Sequence, residues 1–164
     1  MNVVLIGMPA SGKTTVAEIL GKELGMCVLD TDALIVEKHG EINGIFERHG
    51  EEYFRDLESE AVKEVAKAAN VVISTGGGCP LRKENVQVLK ENGKLIFLRS
   101  SVDELIRRTA GDGTRPLLKG EREKRLKSLL AVRTPIYEKA ADFTVDTDGL
   151  APEEIANEIT EFIK

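Results

Sequence analysis

Gly7-Met8-Pro9-Ala10-Ser11-Gly12-Lys13-Thr14 starts directly after the apolar run Val3-Val4-Leu5-Ile6 and leads into a helical pattern. A buried strand, the spacing G-x-x-x-x-G-K-[ST] and a following helix together make a P-loop, the phosphate-binding turn. In such a loop backbone N–H groups point inward around a phosphate, and the helix N-terminus adds positive dipole. Lys13 adds a full charge, and Thr14 offers a hydroxyl to Mg²⁺. The reading is therefore a nucleoside triphosphate site, with Gly7, Ala10, Ser11, Gly12, Lys13, Thr14 and Thr15 as its nucleotide-binding residues. The bland alternative is a tight strand-to-helix turn that matches by chance, and the location of the match argues against it.

Outward from this loop, short apolar strands alternate with helical segments, the signature of a parallel sheet. Strands are expected at about 2–6, 26–29, 71–74, 94–98 and 143–146. Helices are expected at about 13–24, 32–38, 41–48, 51–69, 82–91, 101–109, 120–139 and 152–163. Gly25, Gly40, Gly50, Gly93 and Asp148-Gly149 punctuate them, and Pro152 suits a first helical turn. The fold class is α/β, and the whole chain, 1–164, reads as a single P-loop domain. Residues 110–120, glycine-rich at both ends, read as a mobile loop or lid.

Composition is that of a globular domain, with 41% hydrophobic and 31% charged residues. The net charge of −5 gives no nucleic-acid surface, so anionic ligands must be drawn by local arginines and lysines. No apolar run reaches the ~20 residues of a membrane span, and no signal peptide is expected. Cys27 and Cys79 match no metal spacing and read as free thiols of a reducing cytosol. His39 and His49, isolated in polar helical surroundings, read as solvated. Metal chemistry then means Mg²⁺ brought with the nucleotide.

Ligands of such sheets gather at the carboxyl ends of the strands, here 7–14, 30–32, 75–79 and 99–101. Phosphoryl transfer needs an acid near the P-loop, and only Val28-Leu29-Asp30-Thr31-Asp32 offers carboxylates there. One of Asp30 and Asp32 can organise magnesium waters while the other takes a proton from a substrate hydroxyl. Alternatively, Asp32 caps the helix beginning at Ala33. Gly76, Gly77 and Gly78 let a ligand approach the backbone closely, and make a candidate substrate floor. Arg55, Arg115 and Arg133 each admit two readings. Glu51, Glu52 and Glu58 stand at helical spacing from Arg55 and would pair with it on a solvated face.

Taken together, these segments resemble shikimate kinases, over nearly the whole chain. The matching segments are the P-loop, Asp-Thr-Asp at 30–32, Gly-Glu-Glu-Tyr-Phe-Arg at 50–55, Ser-Thr-Gly-Gly-Gly at 74–78, Arg-Pro-Leu-Leu at 115–118 and Arg-Thr-Pro-x-Tyr at 133–137. The resemblance implies a three-layer P-loop NTPase fold like that of nucleoside monophosphate kinases, with a five-stranded parallel sheet and a lid. It implies transfer of the ATP γ-phosphate to the 3-hydroxyl of shikimate, on the route to aromatic amino acids. Asp32 then holds substrate hydroxyls and is the candidate base, leaving Asp30 beside Thr14 for magnesium. Arg55 and Arg133 clamp the substrate carboxylate over Gly76, Gly77 and Gly78. Arg115 reaches from the lid to the transferring phosphate, alongside Lys13, and Arg108 stacks on adenine.

An arginine fork suits a carboxylate better than a lysine does. One departure is Ala10, where the family often has glycine; its methyl should stiffen the loop slightly. Near Thr147-Asp148-Gly149 no arginine is available for adenine. The expected partners are ATP and shikimate, with no nucleic acid and no membrane, for a monomer in the cytoplasm. The rivals are a gluconate or nucleotide kinase of the same architecture, or a nucleotide-dependent switch, for which the base-reading segment Asn-Lys-x-Asp is missing.

Overall fold

Every side chain of the first strand is buried, which forces it into the middle of a sheet covered on both faces. In a computed structural model describing residues 1–109 and 119–164, β1 (Asn2–Ile6) lies at the centre of five parallel strands in the order β2-β3-β1-β4-β5. The others are β2 (Cys27–Asp30), β3 (Val71–Ser74), β4 (Gly93–Arg99) and β5 (Phe143–Asp146). Register follows the apolar runs, with Val3 opposite Val72 and Val4 opposite Leu95. All five strands stand within a residue of their expected bounds.

The strand alternation sorts the core into two layers. Val3, Leu5, Val72, Ile96 and Leu98 pack against Val16 and Leu20 of α1 (Lys13–Leu24) and Ile155 and Ile159 of α8 (Pro152–Ile163). Val4, Ile6, Ile73, Leu95 and Phe97 face the other way. They meet Val62 and Val65 of α4 (Glu51–Ala66), Leu89 of α5 (Lys83–Lys90) and Tyr137 of α7 (Lys119–Ala140). A satellite cluster of Ile35, Ile45, Phe54, Leu57 and Ala61 joins α4 to α2 (Thr31–His39) and α3 (Ile42–His49). The remaining helix, α6 (Val102–Thr109), follows β4. This is the α/β, helix–sheet–helix architecture expected.

Two local differences have clear causes. α4 ends at Ala66 rather than near residue 69, because its last turn tightens to Lys67 N–H on the Glu64 carbonyl and Asn70 turns to φ 58°. A 3₁₀ turn at Cys79–Leu81, not expected, opens with Pro80 in place and carries the chain from the glycine run to α5. The lid expected at about 110–120 falls outside the described residues except for Lys119 and Gly120, which begin α7. Among the described residues no helix is long and apolar enough to cross a membrane. Cys27 and Cys79 are both free thiols.

Candidate active site

Because chain order reverses direction about β1, a crevice opens at its carboxyl end, between β3 and β4. A cleft of about 480 Å³ lies there, lined by the phosphate loop, Asp30, Asp32, Ser74 to Gly77, and Arg108. Its frame is two buried threonines. Thr75 donates its hydroxyl to the Leu5 carbonyl at 2.8 Å, and Thr31 accepts the Gly76 N–H at 3.1 Å. The ends of β1, β2 and β3 are thus bolted together immediately below the cleft. Neither threonine was singled out in the sequence.

The loop itself is built tightly. At Gly7, φ is 150° and a Cβ would come within 2.8 Å of the Leu98 carbonyl, so only glycine fits. Ala10 takes φ 68°, a left-handed conformation that costs an L-residue about 1–2 kcal/mol; the stiffening expected of its methyl is real strain. Ser11 is buried, with its hydroxyl unpartnered, while Thr14 and Thr15 are exposed on the first turn of α1. Gly12, the residue before α1, has φ 91°.

Lys13 is only 8% exposed and donates to the carbonyls of Gly7 (2.5 Å) and Met8 (3.0 Å). Burial lowers its pKa to about 8, with Asp32 opposing and Arg133 reinforcing the shift. Arg108 is held by Glu104 at 3.1 Å, and its guanidinium lies along the loop, 3.4 Å from the Ala10 carbonyl.

Asp30 and Asp32 separate by role. β2 continues extended through Asp30 and α2 starts directly after it at Thr31, one residue earlier than expected, with no loop between them. The capping role weighed for Asp32 therefore falls to Asp30, whose Oδ1 accepts the Ala33 N–H at 3.0 Å. Asp32 is left free: its Oδ1 is buried without a hydrogen-bond partner. Burial first, then the neighbouring Asp30 charge, raises its pKa, against Lys13 and Arg55.

The glycine run is a floor because it leaves room. A Cβ on Gly76 would stand 2.6 Å from Asp32 Oδ1 and 3.0 Å from Glu58 Oε2; one on Gly77 would stand 3.0 Å from Arg133 Nη1; one on Gly78 would collide with the Arg55 guanidinium. Two arginines and two carboxylates therefore converge over three side-chain-free residues. Arg55 pairs with Glu51 and Glu58, as its spacing suggests, but Glu52 turns to Arg82 instead. The face is not solvated either. Glu58 is 1% exposed, its Oε1 accepting from Arg55 Nη1 at 3.0 Å and its Oε2 unpartnered. Burial raises its pKa, against the pull of Arg55. Glu58 is the site residue that the sequence does not reveal, since helical spacing alone makes it a surface counter-ion of Arg55. Arg115 lies outside the described residues.

A strand, phosphate loop and helix at the centre of a parallel sheet, with carboxylates from the end of β2 in the same crevice, define a P-loop phosphotransferase. A family model described as shikimate kinase matches residues 9–164. The shikimate kinase of Caldicellulosiruptor bescii is 43% identical over 160 residues, covering 96% of this chain and 92% of that one. That of Thermodesulfovibrio yellowstonii is 45% identical over 160 residues, with the same coverage. The structure of shikimate kinase from Acinetobacter baumannii in complex with shikimate superposes with a TM-score of 0.90 at 36% identity, covering 99% of this chain and 92% of that one. The chain belongs to the shikimate kinase family, phosphotransferases with an alcohol acceptor.

Proposed function

We propose that the chain transfers the γ-phosphate of ATP to the 3-hydroxyl of shikimate, giving shikimate 3-phosphate and ADP for aromatic amino acid biosynthesis. The observation that carries this is the convergence of Arg55 and Arg133 over Gly76, Gly77 and Gly78, beside Asp32 and the phosphate loop. A small polyol acid fits that arrangement: guanidinium forks for its carboxylate, and unpartnered carboxylate oxygens for its hydroxyls. Asp32 orients the 3-hydroxyl and accepts its proton, and its raised pKa favours holding that proton as the oxygen attacks. Lys13 leaves the loop carbonyls for the β/γ-phosphates, where its charge offsets the developing negative charge. Gly7, Ala10, Ser11, Gly12, Thr14 and Thr15 cradle the phosphates, and Arg108 stacks on adenine.

For Arg115 the assignment, closing on the transferring phosphate, comes from the resemblance alone. Thr14 and Asp30 would hold Mg²⁺. Among the described residues no cluster of three acidic, histidine or cysteine side chains is present. A nucleotide-borne ion needs none, since it keeps several waters and takes few protein ligands. Asp30 retains Oδ2 for this after Oδ1 has capped α2. When bound, the ion supplies charge neutralisation on the phosphate oxygens. The chain acts on this reading as a cytoplasmic monomer. ATP consumption measured with shikimate, with gluconate and with neither tests it: consumption should require shikimate, and equal rates with gluconate or without acceptor would overturn it.

A further inference from the structure

Tyr137 stands one helical turn after Arg133 on α7, so the two share a face. It is 1% exposed, and its ring packs on Phe97 of β4 with centroids 5.0 Å apart. Phenylalanine would serve that packing equally. The hydroxyl does something else: it donates to the Gly77 carbonyl at 2.6 Å and lies 3.9 Å from Met8 Sδ, and Gly77 in turn lies against the Arg133 guanidinium, whose Nη1 a Cβ there would approach to 3.0 Å. One buried oxygen thus touches the glycine floor, where Arg133 lies, and the phosphate loop. Burial pushes its ionisation up, so it stays a neutral donor and acceptor.

We propose that Tyr137 is a positioning residue: its hydroxyl presets Arg133 and the Gly77 carbonyl for the acceptor's carboxylate, and links that clamp to the phosphate loop at Met8. An arginine left to itself loses considerable rotamer freedom on binding, up to about 2 kcal/mol of entropy. Holding the guanidinium beforehand moves that loss into folding, which is how preorganisation raises affinity. The contact with Met8 matters because Met8 also receives the Lys13 ammonium on its carbonyl. Met8 thus takes the cation of the nucleotide half on its carbonyl and the Tyr137 hydroxyl at its sulfur.

The inference rests on the shikimate-phosphorylating reading and is tested with wild type, Tyr137→Phe, Arg133→Lys and the double variant in one assay. Tyr137→Phe should raise the shikimate KM about tenfold, the scale of losing one well-made buried hydrogen bond, and leave the ATP KM within about twofold. Because Tyr137 acts through Arg133, adding Tyr137→Phe to Arg133→Lys should raise the shikimate KM by no more than about twofold further. An unchanged shikimate KM, or effects of the two substitutions that multiply independently, would overturn it. So would equal rises in both KM values with a falling Tm, or a variant that does not fold, since either makes the hydroxyl structural. Absence of turnover in the wild type would overturn the proposed function itself, and this inference with it.

Discussion

Lys13 and Glu58 are both charged groups held where charge is costly, and each can be read by what happens when it is removed. Lys13 sits at a pKa of about 8, so below that pH its protonated form is carried at a penalty that burial imposes. Lys13→Ala should therefore lower kcat roughly 10²–10³-fold, on the scale of losing one preorganised donor to the transition state, while the Tm holds or rises. Near-normal turnover would remove lysine from the reaction; a collapsed Tm would make it structural. Glu58 supplies the pH dependence. Its folded pKa is raised, so the native state binds a proton more readily than the unfolded chain. The stability this contributes is complete below the unfolded value of 4.5 and is lost as pH rises through the folded pKa. In Glu58→Gln that titration is gone. The Tm of wild type relative to Glu58→Gln should fall as pH is raised from 4.5, then level off; a difference that stays constant or grows in favour of wild type would contradict the raised pKa.

The start of α2 makes a sharper division between two aspartates than any single residue does. Asp30 closes the helix through its Oδ1, and Asp32, two residues on, lies in the first turn with an empty oxygen in the cleft. Asp30→Ala should cost about 1 kcal/mol, some 2–4 °C in Tm for a chain of this size. Asp30→Asn keeps the cap and should melt as wild type, with a raised KM for magnesium-ATP. Asp32→Asn should leave the Tm alone and lower kcat. If Asp32→Asn shifts stability and Asp30→Ala does not, the assignments are reversed. Elements of this kind were largely legible beforehand. Buried parallel strands are continuous apolar runs, and glycine at residues 25, 40, 50 and 93 marks joints between elements, two of them between helices. What stayed hidden was orientation. Helical spacing pairs Glu58 with Arg55 whether that face of α4 meets water or the glycine run, and only packing of α4 against the 3₁₀ turn and α5 decides which. The same limit puts the cap at Asp32, two residues late, because propensity does not say how far β2 remains paired. Asp30 is extended because it lies opposite Ser74.

At the scale of the whole molecule, the site is one crevice with two separable halves. The phosphate loop, Lys13 and Arg108 come from the end of β1 and from α6; Arg55, Glu58 and Arg133 come from α4 and α7 and close over the end of β3. With a net charge of −5, long-range attraction cannot gather two anionic substrates, so each half must do so by its own local cations. Ligand-induced stabilisation shows whether the halves are independent. A ligand at a hundred times its Kd stabilises the fold by about 2.7 kcal/mol, or roughly 5–11 °C in Tm for a chain of this length. Magnesium-ADP and shikimate should each produce such a rise in the wild type. Gly78 permits a selective block. Its φ of −91° is ordinary, so alanine strains no backbone there, but the added methyl meets the Arg55 guanidinium and pushes it aside. Gly78→Ala should abolish the rise with shikimate and keep the rise with magnesium-ADP. Loss of both would mean that the two halves fold as one cooperative pocket, and retention of both would mean that Arg55 does not hold the acid.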